Sequence, residues 1–199
     1  METSDCVLEI DNDANIYPNV TLLGKVSIGK NTTIMSGSVI ENSTIGEGTI
    51  IKSSYVEESI IGNNVTIGPF AHIRPGSIIE DNCKIGNFVE IKNSRLGKNG
   101  KASHLAYIGD AIIGKNCNIG CGAIFVNYDG RAKHQTVVGN GCFIGSNCNI
   151  IAPLKIADNT YICAGTTLTV DTNIDDFVIG RTRETVKNNR ANKYLGKVK

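Results

Sequence analysis

An isoleucine, or a residue like it, returns every six positions along much of this chain. Ile61, Ile67, Ile73, Ile79, Ile85 and Ile91 form one unbroken run; Val138, Ile144, Ile150, Ile156, Ile162, Leu168 and Ile174 form another. Ile28, Ile34 and Ile40 begin the pattern, and Ile45 and Ile51 resume it after a slip. Between the long runs, Leu96, Ala102 and Ile108, then Ile113, Ile119 and Phe125, keep the same step. Six matches neither the period of a helix nor the plain alternation of a strand. A short strand plus a tight corner uses about six residues, and three such walls close a triangular coil of roughly 18, each coil stacking about 4.8 Å above the last. The pattern therefore predicts an all-β chain folded as a parallel β-helix of hexapeptide repeats, with the column pointing inward. The residue two places earlier shares that direction and has to be small. It is Val65, Ala71, Ser77, Cys83 and Val89 in one stretch, and Cys117, Cys142, Cys148, Thr160 and Thr166 in others.

Two segments leave the pattern. Residues 127–136 are polar and lack the column, which predicts an extruded loop; loops on a rigid scaffold often carry function. From Arg181 to Lys199 the chain is polar and basic without periodicity, which predicts an arm with room for a short helix. The expected organisation is a β-helix over residues 1–180 and an arm over 181–199. Such a prism exposes flat walls and an open end, so a cyclic oligomer packed wall to wall is the natural expectation.

Composition narrows the function classes. Lys+Arg is 20 against Asp+Glu 19, without the basic excess of a nucleic-acid binder. No apolar run reaches the roughly 18 residues of a membrane span, and Met1–Cys6 lacks the features of a signal peptide, so a cytoplasmic location is the default expectation. The odd count of seven cysteines speaks against a disulfide framework. Four of them, Cys83, Cys117, Cys142 and Cys148, fall in the small inward column, where a free cysteine acts as a small buried hydrophobe. No spacing suggests a metal site. Cys6 and Cys163 suggest nothing by position.

Counting coils brings polar residues into register. Arg74 and Lys92 lie 18 apart, each one place after a column isoleucine, and should stack. Two cations so close repel unless an anion such as a phosphate lies between them; otherwise they are part of a solvated wall. Tyr107 lies on the same wall, one coil on. His104, Cys121, Ser146 and Ala164 each follow a column residue by two places and should line one corner, leaving a groove for a long thin ligand, a pantetheine arm among the candidates. His104 heads that groove, and a neutral imidazole suits proton acceptance near neutral pH. His72 and His134 have no such setting.

Gly68-Pro-Phe-Ala-His-Ile-Arg74-Pro-Gly76, Gly86-Asn-Phe-Val-Glu-Ile-Lys92, Lys101-Ala-Ser-His104-Leu-Ala-Tyr107-Ile-Gly-Asp110 and Val126-Asn-Tyr-Asp-Gly130 also form an ordered set of motifs. The set resembles the acetyltransferase domain of the bifunctional N-acetylglucosamine-1-phosphate uridylyltransferase/glucosamine-1-phosphate acetyltransferases, over residues from about 8 to about 185. The resemblance implies a left-handed helix, a homotrimer with sites between subunits, and acetyl transfer from acetyl-CoA to the 2-amino group of glucosamine 1-phosphate, a step towards UDP-N-acetylglucosamine and cell-wall peptidoglycan. It implies His104 as proton acceptor; Arg74, Lys92 and Tyr107 at the sugar phosphate; Asn118 and Asn127 at the sugar with Glu90 nearby; and Cys121, Asn127, Tyr128, Ser146, Ala164 and Arg181 along acetyl-CoA. The family usually has alanine where Cys121 stands. No nucleotide loop for the uridylyl step is present, so that activity and its Mg²⁺ are expected on a separate uridylyltransferase. The alternatives are a related acyltransferase for another phosphorylated amino sugar, and a non-catalytic trimerisation module.

Overall fold

In a computed structural model, which describes residues 7–195, the chain winds as a left-handed parallel β-helix. Three parallel sheets form its walls. Wall A has nine strands, from Val7–Ile10 to Leu154–Ile156; wall B has ten, from Asn15–Ile16 to Phe177–Val178; wall C has nine, from Thr21–Leu23 to Thr167–Leu168. Each strand pairs with the one a coil away, so that Ile73 stands on Ile91 and Ile91 on Ile108.

The six-residue column is the core. Ile61, Ile67, Ile73, Ile79, Ile85 and Ile91 are all buried, as are Leu96, Ala102, Ile108 and Phe125. The small inward positions are buried too, and most of their polar members are satisfied, the Thr136 hydroxyl being the exception among the described residues. Ser54 Oγ donates to Lys52 O at 2.6 Å and accepts from the Ala71 amide at 3.1 Å. Cys83, Cys117, Cys142 and Cys148 fill the same column, each with its thiol near a backbone carbonyl. At the corners the backbone turns through the left-handed region, mostly on glycine and asparagine, which tolerate it.

The pattern fails at the last coil. Ile174 is 66% exposed, not in the column. Residues 169–176 form no wall A strand; Asn173 and Asp176 close a turn instead, the Asn173 amide donating to Asp176 Oδ2 at 2.7 Å. The chain then re-enters wall B early, pairing Val178 with Ile162. The extruded loop is also one residue shorter than its sequence suggests: Thr136 is buried and begins the strand Thr136–Val138. Beyond Val178 the described chain holds only a 3-10 turn at Ala191–Lys193. Cys6 and the end of the arm, 196–199, lie outside the described residues.

Candidate active site

Register places His104 at the head of the predicted ladder. Ala102 pairs with Ile119, Ile119 with Ile144, and Ile144 with Ile162. Two residues on, His104, Cys121, Ser146 and Ala164 therefore stack along the corner where wall B turns into wall C, and all four are exposed. The coils approach closely just before this ladder. A Cβ on Gly145 would come within 2.4 Å of the Ala164 amide nitrogen, so only glycine fits there. Arg181 closes the far end, its guanidinium donating to Ala164 O at 3.1 Å.

One residue of this corner was not singled out from the sequence. Asn87 pairs in register with His104, and its Oδ1 lies 2.6 Å from His104 Nδ1. An amide oxygen only accepts, so the bond requires the proton on Nδ1 and leaves Nε2 with a free lone pair. The histidine is thereby set in the tautomer a base needs.

The second group gathers at the far edge of wall C. Arg74 and Lys92 stack as counted, since His72 pairs with Glu90 and Ile73 with Ile91. Their repulsion is relieved in part within the chain: Arg74 donates to Glu90 Oε1 at 2.7 Å, which holds the guanidinium above its ordinary range. Tyr107 stands over Glu90, in the neighbouring file rather than over Lys92. Its hydroxyl nevertheless reaches across Gly109, the residue above Lys92: a Cβ there would meet the hydroxyl at 2.5 Å and Asn127 Nδ2 at 2.7 Å. Lys133, from the loop, is the other residue the sequence did not flag. Its ammonium, with Arg74, holds the Lys92 ammonium below the usual lysine range. Arg74, Lys92 and Lys133 thus form a cationic cluster on a polar wall.

The loop is built rather than slack. Asn127 is buried and donates to Asp110 Oδ2, while Asn93 donates to Asp110 Oδ1 at 2.5 Å. Asp129 Oδ1 accepts the Arg131 and Ala132 amides at 2.7 Å each, and Oδ2 meets His134 Nε2 at 2.7 Å. These bonds hold the Asp129 carboxyl well below the usual range. Tyr128, bridged to Lys133, presents an exposed ring. His72 is paired with Glu57 at 2.9 Å.

One chain does not bring all these residues together. The His104 ladder lies at one edge of wall C and the cationic file, which passes through Gly109, at the other, five residues further along the chain, or up to about 16 Å at 3.3 Å per residue. Asn118 sits on the outer face of wall B, in register with Lys101 and Phe143. Asn127 is tied to Asp110, so its side-chain amide is already engaged. Among the described residues no group of three or more His, Cys, Asp or Glu is disposed to hold a metal, and no helix is long and apolar enough to cross a membrane.

Comparison with known proteins adds three findings. Residues 58–93 and 135–169 match the family described as bacterial transferase hexapeptide (six repeats). The chain is 55% identical over 179 residues to the bifunctional protein GlmU of Caldicellulosiruptor saccharolyticus, covering 90% of this chain and 39% of that protein. It is 49% identical over 189 residues to GlmU of Streptococcus agalactiae, covering 95% and 41%. The chain thus spans about two fifths of the length of these relatives. Among solved structures, LpxA, a UDP-N-acetylglucosamine acyltransferase from Bacteroides fragilis, superposes with a TM-score of 0.51 at 21% identity, over 83% of this chain and 66% of that one, a likeness of fold.

Proposed function

Because the chain belongs to the hexapeptide-repeat transferases and is homologous to part of GlmU, we propose that it transfers the acetyl group of acetyl-CoA to the 2-amino group of glucosamine 1-phosphate. The observation that carries the reading is the pairing of His104 with Asn87 at the head of a small-residue groove. His104 Nε2 takes a proton from the amine as the nitrogen attacks the thioester carbonyl, and the imidazolium returns it to the departing coenzyme A sulfur. Donors along Cys121 and Ser146 face the developing oxyanion. Arg74, Lys92 and Lys133 receive the phosphate, with Tyr107 beside them, and Asn118 and Asn127 flank the sugar near Glu90. Tyr128, Ala164 and Arg181 follow the coenzyme away from the thioester. The Cys121 thiol needs no covalent part, since direct transfer is complete without an acyl-enzyme.

The split between the two groups of residues supports a homotrimer in which each site draws on two chains. Acetyl transfer is the step assigned to these residues, and a uridylyltransferase would take the product.

Coenzyme A thiol release on mixing the protein with acetyl-CoA and glucosamine 1-phosphate tests the reading. No release from folded protein refutes the activity. His104→Ala should lower kcat by roughly 10²–10⁴-fold, the usual worth of a general base; an unchanged rate refutes the mechanism. Mixed trimers of His104→Ala and Lys92→Ala chains should regain activity, because some sites then draw both intact residues.

A further inference from the structure

The extruded loop leaves the prism at the corner where wall C turns into wall A, and one residue holds both ends of its neck. The rungs of that corner leading up to the loop are Asn42, Glu58, Gly76, Asn93 and Asp110. Each donates its amide to the coil beneath and turns through the left-handed region. In the next coil the loop takes the place of a rung: the chain departs after Val126 and returns at Thr136. Asp110 accepts from both sides of the gap. Its Oδ2 takes the Asn127 side-chain amide, and its backbone oxygen takes the Thr136 amide at 3.2 Å. Its Oδ1 takes Asn93 Nδ2 at 2.5 Å, from the rung below. Within the neck the His134 amide donates to Asn127 O at 2.7 Å.

A carboxylate is a demanding group to put here. Asp110 and Asn127 are each 8% exposed, and burial penalises a charge more than a neutral amide. Asparagine tolerates left-handed backbone as aspartate does, and the same corner uses it at Asn42 and Asn93. The two differ in what they permit their neighbours. Three amides in a row at 93, 110 and 127 could hydrogen-bond in either direction, each turning over with the next. A carboxylate in the middle accepts on both oxygens and donates on neither, so one direction alone remains. Asn127 Nδ2 is committed to Asp110, and Oδ1, which can only accept, is the atom left for a ligand.

We propose that Asp110 is a positioning residue for the acceptor site: it holds both ends of the loop and pins the Asn127 amide with its oxygen turned from the carboxylate, so that Asn127 selects a hydrogen-bond donor, a hydroxyl or an amine, on the sugar. The proposal rests on the reading of a sugar-phosphate acceptor and adds the residue that sets the polarity of its recognition. The tie to Thr136 is made by backbone, so substitutions of the Asp110 side chain leave it in place.

Steady-state thiol release tests the assignment. Asp110→Ala frees the Asn127 amide, and KM for glucosamine 1-phosphate should rise about 5–10-fold, the worth of one hydrogen bond, with kcat and the unfolding midpoint little changed. Asn93→Asp/Asp110→Asn moves the carboxylate one rung down: it accepts from the new amide at 110, whose oxygen is left for Asn127, and KM should return to the wild-type value. Asp110→Asn alone should lie between, since its three amides run either way. In an Asn127→Ala background, where KM is already raised, Asp110→Ala should add nothing, as expected of residues that act as a pair. An unchanged KM in Asp110→Ala, a swap that fails to restore it, or additive losses with Asn127→Ala would overturn the proposal. Exchange of the Asn127 side-chain amide in the unaltered protein gives a reading free of any variant: one proton should be protected, and two freely exchanging protons would overturn it. Should folded protein release no thiol, acetylation is refuted, and calorimetric affinities for glucosamine 1-phosphate decide the part of Asp110 instead: the same order of variants supports it, and equal affinities overturn it.

Discussion

Replacing Asn87 by alanine removes the only side-chain acceptor the structure gives His104 among the described residues. In the ground state the bond joins two neutral groups, worth about 1 kcal/mol net; once Nε2 has taken a proton, the donor is an imidazolium, and such bonds are worth about 1.5–3 kcal/mol. The difference, about 1.5 kcal/mol, is felt only in the transition state, so kcat should fall about 10-fold with both KM values little changed. Asn87→Asp keeps an acceptor and adds a charge. It raises the imidazole pKa, and since the protonated ring cannot accept a proton, the acidic limb of the kcat/KM profile should move to higher pH. Thiol release followed across the neutral range reads both effects, and nitrogen-15 shifts of the His104 ring report the tautomer without turnover. Wild-type kcat in Asn87→Ala, or an Asn87→Asp profile superimposed on the wild type, would refute the assignment of Asn87 as a positioning residue.

Three further outcomes are expected. Maleimide should label the exposed Cys121 in the native protein and spare Cys83, Cys117, Cys142 and Cys148 because all four are buried; burial also pushes the Cys83 thiol up to about 11, and the bond to Cys142 with burial pushes Cys117 up, whereas that same bond brings Cys142 down to about 7, so burial alone shields it; peptide mapping checks this, and acetyl-CoA should protect Cys121. The Asp129 carboxyl is held below its unfolded value, so its hold on the loop is fully present above the usual aspartate range and lost only as pH falls through the lower folded value; Asp129→Ala should abolish exchange protection at the Arg131 and Ala132 amides and raise KM for the sugar phosphate several-fold. Ile85→Ala, in a fully buried rung, should cost about 2–5 kcal/mol in denaturant unfolding.

The column was legible because a coil of fixed length turns sequence spacing into height. Ile61 to Ile91 needed only counting, and so did the ladder from His104 to Ala164 once one slip and one loop were allowed for. Ile174 kept the spacing but not the place, because the turn at Asn173–Asp176 shortens the last coil and spacing carries no record of a missing wall. Contacts made by side-chain reach were illegible for another reason. The Arg74–Glu90 pair, the Asn87–His104 bond and the swing of Lys133 towards Lys92 depend on how far side chains extend from adjacent files. Asn127 was read for its position in a motif, and its tie to Asp110 appears only when the coils are stacked.

Each coil of this solenoid is held only by the coils above and below it, so its stability is close to a sum of nearest-neighbour terms and melting starts at the ends. Asn87, His104 and Tyr107 lie mid-stack, where opening requires the loss of many interfaces. Arg181 follows the terminal strand Phe177–Val178, which is paired on one side only. Fraying of that last rung would detach Arg181 from Ala164 while His104 stayed in place. The distal grip on a coenzyme is thus seated on the part of the molecule that opens most cheaply, and the proton-handling corner on the part that opens last.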